Sequence, residues 1–386
     1  MLTSNIIFKN FKPKKHDKKI ERLLKILLKE NNEIIKSLCK NYKDSFKKKT
    51  ILKYKNFSEI MLIGMGGSIL GSRSIFTFLK HKIKKKFSFK DDFELSELNL
   101  KKKSRLNLIV SKSGNTLETI SNANILIKNK QKNIFLTEDK NSYLTKLAKK
   151  LKSEIIHHNN FIGGRYSVLS EVGMLPAALM GLNVNNFRRL NFLVKKKNFL
   201  NSLIQNVSST LYFMKKKKYN SLILNYDERS SDLFFWYQQL IAESLGKKSK
   251  GILPVVSKMP KDNHSLMQLY LDGFKNNFYT FFFVNDKFSQ KLNNKHLLES
   301  HFYLKNKTLD DIKKSQFNAT LKVFEKKKIP FRSFFLNNRD EKSLGELFTF
   351  FILETILLGK AMNVNPYDQP AVELIKTETK KFLLNS

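Results

Sequence analysis

The stretch at residues 60–71, IMLIGMGGSILG, constrains the chain more than any other. Ile60, Met61, Leu62 and Ile63 read as a buried strand that stops at Gly64, Gly66, Gly67 and Ser68. A helix is expected from about residue 69 to residue 79. Glycines at such a junction let backbone N–H groups approach an anion, and the positive end of the helix dipole faces the same spot. The spacing matches neither the mononucleotide loop nor the dinucleotide fingerprint. Many ligands use a turn of this kind, so a second signal is needed.

That signal is the run 106–110, another short buried-strand pattern. It is followed by Ser111-Lys112-Ser113-Gly114-Asn115-Thr116-Leu117-Glu118-Thr119 and a helical run over 120–127. Ser111, Ser113, Thr116 and Thr119 crowd hydroxyls around the turn, with no carboxylate before Glu118. Hydroxyl and N–H donors in that arrangement cradle a phosphate monoester without a metal. Hydroxyls that merely cap the helix are the alternative reading.

Apolar runs at 60–63, 106–110, 133–136 and 154–157 alternate with helical stretches, the pattern of a parallel sheet covered on both faces. In such sheets ligands bind beyond the carboxyl ends of the strands, where both glycine- and hydroxyl-rich turns fall. Residues 1–50 read as a charged helical arm, with Ile20, Leu23, Leu24, Leu27 and Leu28 on one face. GGRYSVLS, residues 163–170, sets Arg165 between a glycine pair and a helix start, where a guanidinium can face a negative centre. Helical stretches over 184–214 lead to a second alternation that begins at 222–225. The helix at 232–246 puts Gln239 and Glu243 on one face. A carboxylate among apolar neighbours loses hydration, which favours a general base. His264 follows Asp262 and Asn263; strands are expected at 278–284 and 329–336, and a helix at 344–361. The loop NVNPYDQP, 363–370, opens a last helix with Glu373 and Lys376.

The expected fold is therefore α/β, with two αβα-sandwich domains built on parallel sheets, a helical N-terminal arm and C-terminal helices. The divisions fall at 1–55, 56–182, 183–343 and 344–386, and the last segment is expected to complete the site. A formal charge of +39 would suggest a polyanion partner, yet only nine of the 72 basic residues are arginine. The lysines lie in dispersed runs such as 195–197, 215–218 and 326–328. Nucleic-acid readers concentrate arginine with aromatics on one surface. The abundance of Lys, Asn, Ile and Phe points instead to A/T-rich codons, and no specific nucleic-acid partner is expected. Cys39 stands alone, which excludes an internal disulfide and a cysteine zinc cage. No apolar run approaches the roughly 20 residues of a membrane helix. The N-terminus lacks the long apolar core of a secretory signal, so a soluble, cytoplasmic protein is expected.

Six stretches align in order with one family. GMGGSILG, SKSGNTLET, GGRYSVLS, QQLIAESLGK, DNHSLMQLYLDG and NPYDQPAVELIK run from Gly64 to Lys376, about four fifths of the chain. On these the chain resembles the glucose-6-phosphate isomerases, enzymes of two sugar-isomerase domains. The resemblance implies an aldose–ketose isomerisation of glucose 6-phosphate and fructose 6-phosphate through ring opening and an enediol(ate), with no metal or organic cofactor. It implies Glu243 as the base, Arg165 as the charge facing the enediolate, and His264 as the ring-opening group, with Lys376 assisting. Ser111, Lys112, Ser113, Thr116 and Thr119 would hold the phosphate, and Gly67, Ser68, Gly164, Gln239 and Gln369 would contact the sugar. It further implies a homodimer in which His264 comes from the neighbouring subunit. Acceptance of mannose 6-phosphate as well, or sugar-phosphate binding without turnover, are the alternatives. Retention of Glu243, Arg165, His264 and Lys376 argues against the non-catalytic one.

Overall fold

The computed structural model describes residues 2–12, 15–94, 105–128, 131–286 and 289–385. Two five-stranded sheets organise them. The first contains β2 (Glu59–Ile63), β3 (Lys86–Lys90), β4 (Arg105–Val110), β5 (Lys132–Thr137) and β6 (Glu154–His157) in the order β3-β2-β4-β5-β6. All its pairings are parallel. The second has the order β1-β10-β9-β7-β8. Its members are β1 (Ile6–Lys9), β7 (Asn220–Asn225), β8 (Leu253–Lys258), β9 (Asn277–Val284) and β10 (Phe331–Leu336). Four of these run parallel, while β1 joins the β10 edge antiparallel, with Ile6 opposite Leu336. The strand at Ile6–Lys9 corrects the expectation that residues 1–50 are helical throughout. The same arm does supply α1 (Lys18–Lys29), α2 (Glu33–Ser37) and α3 (Lys48–Tyr54).

Successive side chains of a strand point to opposite faces, so each strand feeds two cores. On one side of the first sheet Met61, Ile63, Ile109 and Phe135 meet α5 (Leu117–Leu126) and α6 (Tyr143–Lys150) through Ala123, Leu126, Leu144 and Ala148. On the other side Ile60, Leu62, Leu106 and Leu108 enter the main core. That core also takes residues of α4 (Leu70–Phe78), α7 (Glu171–Leu179), α9 (Lys197–Lys215), α10 (Ser231–Leu245) and α13 (Glu341–Ala361), with α8 (Leu190–Leu193) at its side. Ile223, Phe282 and Phe334 reach it from the second sheet, so the core lies between the two sheets. The far face of the second sheet packs Tyr226, Tyr279, Phe281 and Phe283 on Phe317 and Phe324 of α12 (Leu309–Lys326) and on Tyr270 of α11 (Met267–Asp272). The last helix, α14 (Val372–Asn385), buries none of its residues.

α10 is pinned by a polar cluster inside this core. Arg332 on β10 pairs with Glu354 of α13 and donates to Asn206 Oδ1 at 2.8 Å, Thr280 Oγ1 at 2.9 Å and Tyr237 OH at 3.0 Å. Every member is buried. Burial opposes a charged guanidinium, but Glu354 and Tyr237 together outweigh it and hold the Arg332 proton more tightly than usual. Among the described residues no helix is long and apolar enough to cross a membrane.

Candidate active site

The GMGGS turn after β2 and the SKSGNT turn after β4 leave adjacent parallel strands at the same edge of the first sheet. The first turn is tight: Gly66 has φ +54°, and a Cβ there would lie 2.9 Å from Gln239 Nε2. A Cβ on Gly67 would lie 2.2 Å from the Gly164 carbonyl carbon. The glycines thus let two loops and the α10 helix come into close contact. Ser68 is half-buried in the short 3-10 turn that follows.

In the second turn the Ser111 and Thr116 hydroxyls lie 2.8 Å apart, Ser113 Oγ is 3.5 Å from Thr116, and Gly114 N–H donates to Ser111 Oγ at 3.2 Å. Thr119 Oγ1 is buried without a partner among the described residues. A buried hydroxyl left unpaired is costly, so a ligand oxygen at this turn would satisfy it. Lys112 Nζ lies 3.3 Å from Glu138, which also binds Lys140 at 2.5 Å. Burial pushes the Glu138 carboxyl up, but the two lysines more than offset it, so its pKa falls below 4.5.

Arg165 is 1% exposed and fully engaged. Its Nε donates to Ser244 Oγ at 2.8 Å, and its NH2 donates to the carbonyls of Pro366 and Asp368 at 2.7 and 3.0 Å. Its NH1 donates to Glu243 Oε2 at 3.2 Å and Gln369 Oε1 at 2.6 Å. Gln239 Nε2 donates to the other Glu243 oxygen at 2.9 Å, and its own carbonyl oxygen is buried without a partner among the described residues. Gly67, Gly164, Arg165, Gln239, Glu243 and Gln369 therefore form one contiguous group. The loop NVNPYDQP closes over it, and Lys247 Nζ staples that loop through the Asn365 carbonyl at 2.5 Å and Asp368 at 3.0 Å. Burial lowers the Lys247 pKa, against the pull of Asp368.

The structure does not bring His264 or Lys376 to this group within one chain. His264 ends an exposed 3-10 turn after β8, and its ring makes no hydrogen bond among the described residues. Lys376 sits on exposed α14, paired with Glu373 at 2.6 Å. Ser244, Tyr166 and Lys247 join the cluster although no residue-type signal singles them out. They lie inside the same short motifs, and only their contacts reveal them.

With this geometry in place, comparison with known proteins is decisive. A model of the family described as phosphoglucose isomerase matches residues 27–385. The chain belongs to that family. Glucose-6-phosphate isomerase of Mycoplasmopsis pulmonis is 32% identical over 360 residues, covering 86% of this chain and 84% of the relative. That of Methanocaldococcus jannaschii is 30% identical over 353 residues, covering 86% of each. Among solved structures, a hypothetical protein from Thermus thermophilus superposes with a TM-score of 0.81 at 24% identity, covering 95% of this chain and 94% of the other. A glucose-6-phosphate isomerase from Chlamydia trachomatis gives a TM-score of 0.68 at 18% identity, covering 87% and 71%. These two likenesses establish the α/β fold of two parallel-sheet layers shared with the phosphoglucose isomerases.

Proposed function

We propose that this phosphoglucose isomerase family member interconverts glucose 6-phosphate and fructose 6-phosphate in the cytoplasm. The observation that carries the reading is the Arg165–Glu243 pair, 3.2 Å apart beside the glycine turn that shares a sheet edge with the hydroxyl-rich one. Ser111, Ser113, Thr116, Thr119 and the Lys112 backbone hold the phosphate. Gly67, Ser68, Gly164, Gln239 and Gln369 line the sugar. His264 and Lys376 move the proton that opens the ring. Glu243 then takes the C2 proton of the open-chain aldose, the electron pair forms the C1–C2 double bond and the C1 carbonyl electrons move onto O1; the O2 hydroxyl proton passes to O1 as the C2 carbonyl forms, and the same carboxylic acid returns the proton to C1. Arg165 faces the enediolate oxygen, where a fixed charge in a dry site stabilises the transition state strongly. One carboxylate serves as base and then acid, so the net proton count is unchanged.

His264 and Lys376 are exposed and make no hydrogen bond or ion pair to the Arg165 cluster among the described residues, and α14 exposes Val372, Leu374, Ile375, Phe382 and Leu384. Both facts support a homodimer with His264 supplied across the interface. Glu243→Gln and His264→Ala chains, each inactive alone, should recover about a quarter of normal turnover when co-expressed, because half the dimers are hybrids with one intact site. Failure of the unmodified chain to convert fructose 6-phosphate would end the isomerase reading, turnover by Glu243→Gln alone would remove Glu243 as the base, and absence of recovery by folded chains would end the shared site.

A further inference from the structure

We propose that Ser244 is a positioning residue for Arg165, with Tyr166 as its relay to the C-terminal loop. The inference rests on the isomerase reading and deepens it. Ser244 follows the base on α10, is fully buried, and accepts from Arg165 Nε at 2.8 Å. Its hydroxyl also lies 2.8 Å from Tyr166 OH, which donates to the Pro366 carbonyl at 2.9 Å. With the Tyr166 proton committed to Pro366, the Ser244 proton goes to the Tyr166 oxygen and the Ser244 lone pairs face the guanidinium. The Tyr166 ring lies beneath the same guanidinium, 5.2 Å from centroid to Cζ.

The consequence follows from counting donors. A guanidinium has five N–H bonds in a fixed plane. Here Nε and both NH2 bonds end on groups that cannot move away: a buried hydroxyl and two backbone carbonyls. NH1 alone ends on side chains within reach of solvent, half-buried Glu243 and exposed Gln369. NH1 is therefore the donor a substrate oxygen can take over. Ser244 fixes the plane that aims it. Without that hydroxyl Nε is unsatisfied, and the plane can tilt about the two carbonyl bonds.

Ser244→Ala should lower kcat about 10- to 100-fold, the effect of losing one hydrogen bond to a charged group, with KM for fructose 6-phosphate nearly unchanged. The discriminating readout uses two phosphate-bearing probes. Arabinonate 5-phosphate has a planar carboxylate that copies the enediolate, whereas sorbitol 6-phosphate carries no charge at that end. Ser244→Ala should weaken the first by the factor lost in kcat/KM and leave the second unchanged. Ser244→Thr keeps the hydroxyl and should recover most of the rate. Tyr166→Phe should show the same split with a smaller loss, and it decides the matter if Ser244→Ala does not fold. Unchanged kcat, or equal weakening of both probes, overturns the positioning role. Turnover of fructose 6-phosphate by the unmodified protein, measured first, separates the two inferences: its absence ends the isomerase reading, whereas its presence with unchanged Ser244→Ala kinetics ends the positioning role alone.

Discussion

Replacing Gly67 by alanine tests the architecture where two loops meet. The added Cβ would sit 2.2 Å from the Gly164 carbonyl carbon, 2.5 Å from its oxygen and 2.6 Å from Arg165 N. Ordinary contact begins at 3.4 Å, so one turn must retreat by about 1.2 Å. No side chain can rotate to absorb this, because all three atoms are backbone. The Arg165 bonds span 2.6–3.2 Å, and a shift of that size breaks several of them. Misplacement near 1 Å costs on the order of 100-fold in rate, or about 2.7 kcal/mol of transition-state stabilisation. Overpacking adds about 1–3 kcal/mol of lost stability. The assay is fructose 6-phosphate turnover coupled to glucose-6-phosphate dehydrogenase, with urea unfolding run in parallel. Gly163→Ala is the control, since its φ is −65° and the nearest atom to its Cβ is 3.8 Å away. It should behave as the unmodified protein. A Gly67→Ala enzyme with near-normal kcat/KM would show that the two turns do not set the Arg165 position.

Two further outcomes follow from the polar clusters. Arg332→Met leaves buried Glu354 with Asn206 and Tyr237 as its side-chain hydrogen-bond partners among the described residues, and should cost about 3–5 kcal/mol in urea unfolding; adding Glu354→Gln should restore much of that loss, and a single variant as stable as the parent would refute the role of the pair. Glu138 has a folded pKa below its ordinary 4.5. Its contribution is therefore fully present above about pH 4.5 and disappears as pH falls through the lower folded value. The stability gap between the parent and Glu138→Gln should close over that acid range, and a gap constant from neutral pH to pH 3 would contradict the lysine pairing.

The sequence makes the glycine and hydroxyl turns legible because backbone demands there admit few residue types. Strands β2, β4 and β9 are legible because they are apolar for most of their length and buried. The edges are harder. β1 is four residues whose exposure alternates, so local propensity says little, and its partner β10 lies at the far end of the chain. β8 carries Pro254, which central strands exclude; as an edge strand it tolerates the missing N–H. β3, KFSFK, is another short edge whose lysines resemble those of the loops around it. In the site, Arg165 and Glu243 stand out by type and spacing. Ser244 does not, because a serine on a helix is ordinary until its neighbours are known.

The antiparallel strap formed by the first few residues has a consequence for synthesis. Ile6 and Lys9 must wait for Leu336 and Ser333 to leave the ribosome before their backbone groups can pair, and Thr3 waits for Glu346. The first sheet, all of whose strands lie between residues 59 and 157, faces no such delay. Closing so distant a contact is slow, so until translation is nearly complete the nascent chain carries an unpaired amino end that chaperones can hold. A product ending before β10 would lack both the partner of β1 and α13, and would leave β9 as an unpaired edge.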